Sequence, residues 1–160
     1  MMEGLLGTYF NSYDPKGRVA IPVKMRNAFP VGEQDRIYIT RGIEPCITGY
    51  CQQEWDRFRR KLNKAKIDEK TKRKLKREFI GRGSEAVFDK QGRITIPLDL
   101  INYADLHNVE ELIIVGCDDY IEIWNPQKYQ QSGSASEEDV DSTMSKIIFD
   151  EDDDAAEAKP

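Results

Sequence analysis

Histidine is almost missing from this chain: His107 is the only one in 160 residues, beside three cysteines, Cys46, Cys51 and Cys117. Cys46 and Cys51 have no second pair nearby, and neither Glu-x-x-His nor Cys-x-x-Cys occurs, so no zinc site is expected. A lone histidine in Leu106-His107-Asn108 leaves no Ser-His-Asp or Cys-His arrangement. Gly81-Arg82-Gly83 lacks the further glycine and lysine of a phosphate-cradling loop. No cofactor, no small-molecule substrate and no enzymatic activity are expected. No apolar run approaches the ~18 residues of a membrane span, and Met1-Met2-Glu3-Gly4 carries neither the basic nor the apolar region of a leader. The expected location is cytoplasmic, where thiols stay reduced.

An excess of positive charge is missing too, since the formal net charge is −5. The deficit is local. Residues 132–160 hold ten acidic residues against Lys146 and Lys159, a net of −8, which leaves residues 1–131 at +3. A mildly basic body is joined to an acidic tail.

What the chain does contain is one short stretch, twice. Asp14-Pro15-Lys16-Gly17-Arg18-Val19-Ala20-Ile21-Pro22 returns 75 positions later as Asp89-Lys90-Gln91-Gly92-Arg93-Ile94-Thr95-Ile96-Pro97. Each copy has a charged turn centred on glycine, a short alternating strand, and a proline placed for the first position of a helix. The repeat extends further: Ile37–Thr40 aligns with Leu112–Val115 at an offset of 75, and Ile47, Tyr50 and Trp55 align with Ile121, Trp124 and Tyr129 at 74. Two halves, each too small for a good core alone, are expected to share one.

Taken in order, Leu6–Phe10 reads as a strand that the Asp14–Gly17 turn returns into Val19–Ile21, a hairpin signal. A short helix follows Pro22, then strands Ile37–Thr40 and Ile47–Tyr50 around Arg41-Gly42. From Gln52 to about Phe79 the pattern is helical, with Trp55, Phe58, Leu62 and Ala65 on one face and a second helix capped by Asp68. Gly81-Arg82-Gly83 is expected to end that hairpin through positive φ. The second copy repeats the scheme, and Asn125-Pro126 opens a last turn of helix. The expected organisation is residues 1–80 as a first half with its helical connector, 81–131 as a second half, and 132–160 as an acidic, disordered tail. Within that tail, Ile147-Ile148-Phe149 is the one segment suited to dock on a partner.

The candidate site is the pair of turns. A guanidinium four residues from a carboxylate across a glycine turn is oriented by that carboxylate, and an oriented planar fork is what reading a guanine edge or gripping a phosphate requires. Arg18 and Arg93 are therefore the first candidates for DNA contact, with Asp14, Asp89, Gly17 and Gly92 shaping the turns and Lys16 and Lys90 adding charge. The copies are unequal, because Gln91 stands where the first has Lys16, and Lys90 stands opposite Pro15. The connector, with Arg57, Arg60, Lys61 and Lys64 among its many cations, either grips phosphate or is a solvated face.

The paired Asp-x-x-Gly-Arg-x-x-Ile-Pro copies, Arg41-Gly42 between strands, and the ending Ile121-Glu122-Ile123-Trp124 closely resemble the MraZ family of AbrB-like bacterial regulators over about residues 5–130. The resemblance implies an α+β, mainly β fold, a double-split β-barrel of two fused pseudo-symmetric halves with a helical hairpin between them. It further implies a sequence-specific transcriptional regulator in the nucleoid and a ring-shaped homo-oligomer. That ring would bind repeated boxes in double-stranded DNA of its own promoter, at the head of the division and cell-wall gene cluster. Because the fused copies give the chain a direction, direct repeats are expected. The competing reading is a ring-forming structural module or an antitoxin-like protein whose acidic tail binds a protein partner.

Overall fold

A computed structural model describes residues 2–132 and 137–150 of the chain. By their internal contacts the residues group into two units, 1–129 and 130–160. The expectations for the Ser/Gly linker at 133–136 and for the acidic end at 151–160 lie outside the described residues.

The first unit is a mixed α+β fold, and its element order shows the duplication. Strands β1 (Thr8–Ser12) and β2 (Arg18–Ala20), helix α1 (Val23–Ala28), and strands β3 (Arg36–Arg41) and β4 (Ile47–Tyr50) make one series. Helices α2 (Gln52–Lys64) and α3 (Glu69–Leu75), the latter running into a π-helical turn at Lys76–Ile80, lead to the second. That series is β5 (Ser84–Val87), β6 (Arg93–Thr95), α4 (Leu98–Tyr103), β7 (Glu111–Gly116) and β8 (Ile121–Trp124), with α5 (Pro126–Ser132) after it.

The strands form an antiparallel sheet in the order β1-β7-β8-β4-β3-β5 and a separate two-stranded ladder, β2-β6. Counterparts stand at mirrored places in the six-stranded order: β1 with β5, β7 with β3, β8 with β4. The approximate two-fold axis can be located from register. Val19 pairs with Ile94 and Thr48 with Glu122, each a residue with its own repeat counterpart.

The expected β1–β2 hairpin is corrected by this pairing. β1 bonds to β7 of the other half and β2 to β6, and only a single bridge, Tyr13 to Val19, joins the arms of the turn. The reason is burial. Val19 and Ile94 are fully buried at the centre of the ladder, so their strands pair with each other across the axis, and each half covers the other's apolar face. Strand exchange ties both halves to one main core, in which Ile21, Met25 and Phe29 of the first series meet Ile96, Leu100 and Leu106 of the second. A smaller cluster of Cys46, Ile113 and Trp124, with Tyr129 edge-on to Trp124, fills part of the opposite face of the sheet. The α2 aromatics Trp55 and Phe58 stack on Tyr38 and Tyr50.

Local signals hold where their chemistry is short-range. Asp68 caps α3 by accepting from the Thr71 backbone N–H at 2.9 Å. Pro22 and Pro97 stand at the cap positions just before α1 and α4 rather than inside them. Gly81 does not use positive φ. At φ −63° it is required by close approach, since a Cβ there would stand 2.5 Å from the Arg77 carbonyl oxygen.

In the second unit, residues 137–148 form helix α6 (Glu137–Ile148) where composition points to an unpacked tail. Val140, Met144, Ile147 and Ile148 fall at i, i+4, i+7 and i+8, an apolar stripe that the surrounding acidic residues hide, and all four are exposed.

Candidate nucleic-acid interface

The β2–β6 ladder sorts its side chains by the two-residue period. Val19 and Ile94 point into the core, while Arg18, Ala20, Arg93 and Thr95 occupy the outward face. Arg18 is paired with Thr95 and Arg93 with Ala20, so the two guanidiniums lie on a diagonal of that face.

Each turn is built by the same set of bonds. Gly17 and Gly92, at φ +78° and +75°, let the chain reverse, and their N–H groups donate to the Asp14 and Asp89 carbonyls at 3.0 and 2.9 Å. Asp14 Oδ1 accepts the backbone N–H of Lys16 and Arg18, and Oδ2 accepts Arg18 Nε at 2.7 Å. Asp89 does the same for Gln91 and Arg93, with Arg93 Nε at 2.8 Å. The halves are then stitched together: Ile21 N–H donates to Gly92 O and Ile96 N–H to Gly17 O, at 3.0 and 2.8 Å.

These bonds set the electrostatics. Partial burial pushes the Asp14 carboxyl upward, but the Arg18 backbone N–H, its guanidinium bond and its charge outweigh that and hold the group below the usual carboxylate value. At Asp89 the Arg93 backbone N–H lowers the value first, against partial burial, and the guanidinium adds to it. Both remain anions that fix their arginines. Because Nε is the bonded edge, the two Nη amines of each arginine have no hydrogen-bond acceptor among the described residues. No buried side-chain nitrogen of those residues lacks a partner, so these amines reach solvent. Lys16, Lys90 and Gln91 are exposed on the turns beside them. All eight residues expected at the site therefore gather on the two turns and the outward face of one small ladder.

A ninth residue was not anticipated. Arg26 of α1 reaches over to the second turn, donating Nε to Ile21 O at 3.0 Å and standing 5.7 Å from the Phe88 ring centre. A Cβ on Gly92 would fall 2.6 Å from its guanidinium carbon. The sequence signal was available, because 75 positions on from Arg26 stands Ile101, a charged residue set against an apolar one in a strong repeat.

Other candidates are placed elsewhere. Arg41 is used structurally, bonding Glu78 at 2.8 Å and lying 4.6 and 4.7 Å from the rings of Phe79 and Tyr103. Arg57, Arg60, Lys61 and Lys64 line an open hollow on α2. His107 bonds Asn102 at 2.7 Å. The three cysteines are free, and burial raises the thiols of Cys46, Cys51 and Cys117, the last to about 11. Among the described residues no group of three or more His, Cys, Asp or Glu is placed to hold a metal, and no helix is long and apolar enough to cross a membrane.

Comparison with known proteins agrees with the duplication. The family described as "MraZ protein, putative antitoxin-like" matches twice, over residues 5–78 and 79–147. The second match passes residue 130 and runs through nearly all of α6, so the family likeness extends further than the motifs alone suggest. A protein named transcriptional regulator MraZ from Lactobacillus helveticus (strain DPC 4571) is 35% identical over 136 residues, which cover 85% of this chain and 91% of that protein. Proteins of the same name from Halothermothrix orenii and Ligilactobacillus salivarius are 34% and 33% identical, each over 89% of this chain and 97% and 96% of their own lengths.

Proposed function

The chain belongs to the MraZ family, and on that premise we propose that it is a sequence-specific DNA-binding transcriptional regulator whose contact surface is the outward face of the β2–β6 ladder. The observation that carries this reading is the pair of carboxylate-held guanidiniums, Arg18 and Arg93, on one face, neither with an Nη hydrogen-bonded among the described residues and with Arg93 Nη1 3.8 Å from Asp14 Oδ2. Fixing Nε lowers the ordering cost of a bidentate contact to a guanine edge or a phosphate. Lys16 and Lys90 add charge on the flanks, and the glycines hold the turns open.

The finer reading is that the six-stranded sheet and the ladder together form a double-split barrel, with residues 1–80 and 81–131 as its fused halves and 132–160 as a tail. The protein assembles as a ring in the cytoplasm, at the nucleoid, and the ring binds spaced direct repeats in its own promoter at the head of the division and cell-wall cluster. A body of net charge only +3 needs such multiplicity, because repeated weak faces bind jointly where one would not.

The test is a gel shift with the chain's own upstream DNA over a range of salt, comparing the parent with Arg18→Ala and Arg93→Ala. Each substitution should cost about 1–3 kcal/mol of specific binding. Unchanged affinity, with circular dichroism showing an intact fold, rejects the ladder face as the contact.

One observation favours a second reading, the exposed stripe Val140, Met144, Ile147 and Ile148 on an acidic helix. Such a surface suits a protein partner, as an interaction module or antitoxin would require. Pull-down with α6 variants bearing Asp at Met144 and Ile147 separates the two, since DNA binding should survive them.

A further inference from the structure

We propose that Arg26 is a phosphate-binding residue that serves the second motif turn only, making the two ends of the ladder chemically unequal toward DNA. The proposal rests on the reading of the ladder as the DNA-contacting face.

The repeat supplies the comparison. Each glycine turn is braced by a side chain from the helix of the opposite half. Under the first turn the brace is apolar: Ile101 Cδ1 lies 3.2 Å from the place a Cβ on Gly17 would take, and Ile101 and Tyr13 both pack on the main core. Under the second turn the same place holds the Arg26 guanidinium, beside Phe88, the repeat counterpart of Tyr13. Bracing alone calls for an apolar group, as the first turn shows. Covering Gly92 and satisfying Ile21 O use only the flat of the guanidinium and its Nε.

What is left over points outward. Among the described residues neither Nη of Arg26 finds a hydrogen-bond acceptor, and by the argument used for the motif arginines both amines reach solvent. No carboxylate of the described residues is within ion-pair distance of it, in contrast to Arg18 and Arg93, each held by an aspartate. Two solvent-facing amines on a guanidinium with no counter-ion among the described residues are free to take an external anion by charge-assisted hydrogen bonds. The contact is to the backbone, since Nε and the ring face already fix the guanidinium plane at the flank of the turn. The first turn has Lys16 as its flanking cation, and the second has Lys90 and, with Gln91 in the place of Lys16, Arg26 besides. With Pro15 against Lys90, the chain thus carries its direction in three positions.

The test is the salt dependence of binding to a duplex of the upstream DNA by the full chain, by Arg26→Ile, which copies the first turn's brace, and by Arg26→Lys, which keeps charge and loses the Nε bond. Arg26→Ile should reduce the log–log slope by roughly 0.9 for each bound chain, and Arg26→Lys should retain the parent slope. A folded Arg26→Ile with the parent slope overturns the proposal. So does an equal loss in both variants, which would make Arg26 a packing residue. If Arg26→Ile does not fold, Arg26→Gln is read in its place. Arg18→Ala is run alongside: if it too leaves binding unchanged, the ladder face itself is wrong, whereas a loss there with none at Arg26 rejects only this inference.

Discussion

Arg93 Nη1 stands 3.8 Å from Asp14 Oδ2, the same carboxylate oxygen that accepts Arg18 Nε at 2.7 Å. Asp14 therefore touches both motif arginines, while Asp89 holds only its own. Two residues that are repeat counterparts thus differ in their contacts. Asp14→Asn should loosen both guanidiniums and Asp89→Asn one, so the first should weaken DNA binding more. Paired with Arg93→Ala, Asp14→Asn should cost less than the sum of the single effects. Gel-shift affinities for the four variants decide it, and equal, additive losses would mean that the 3.8 Å approach carries no coupling.

The same carboxylates make a prediction in acid. Both have folded-state values below the ordinary 3.8, so their contribution to stability is fully present above that value and is lost as pH falls through the lowered ones. Loss of ordered structure should begin below about pH 4, and an Asp14→Asn, Asp89→Asn double variant should show a shallower acid limb. Asp35 and Asp68 are lowered as well, by bonds from Arg36 and Thr71, so some acid dependence should persist. An acid titration by circular dichroism that is identical in parent and double variant would show that the two turns do not contribute.

Much of the candidate site's geometry is legible in the sequence because its bonds are local. Asp14 to Arg18 and Asp89 to Arg93 are four-residue loops whose bonds close within the motif, so spacing alone specifies them. Partner choice is not local. The alternation in β2 says that Val19 faces a core but not that Ile94 is its neighbour, so a hairpin was expected where the halves exchange strands. Arg26 is marked in the sequence only by its mismatch with Ile101, and what it covers is not, because only the chain folding back across the axis brings Gly92 beneath it. Helix α6 was obscured by composition, since its apolar residues are spaced at the helical period among acids that dominate the count.

A tail that screens the basic body would act on DNA binding through charge. A segment of net −8 tethered to a body of +3 is expected to lower the chain's attraction for phosphate. Removing residues 132–160 should tighten nonspecific DNA binding and steepen its salt dependence by roughly 0.9 in the log–log slope for each additional phosphate that the body then neutralises. Titrations of the truncated and full chains against a random duplex make the comparison. An unaltered slope would assign the tail to a spacer or a protein contact instead, and Val140 to Ile148 would be the place to look.

Operator geometry follows from the ladder's symmetry and its defects. The axis through Val19 and Ile94 places the two turns in inverted relation within one chain, so a single chain acting alone would favour a short inverted site. The defects break that equivalence: Lys16 against Gln91, Pro15 against Lys90, and Arg26 against Ile101 give each chain a first end and a second end. When such chains join head to tail, every subunit presents the same end in the same sense, and the preferred DNA repeats in that sense. Several boxes should be needed, because each face adds little by itself. Footprinting on a promoter fragment with boxes deleted or inverted one at a time should show protection that collapses below a minimum number and is lost at an inverted box. Full protection of a single box, or preference for an inverted pair, would instead describe a dimeric reader in which the two turns are interchangeable. In that case exchanging Lys16 and Gln91 should leave affinity unchanged, whereas a directional reader should lose it.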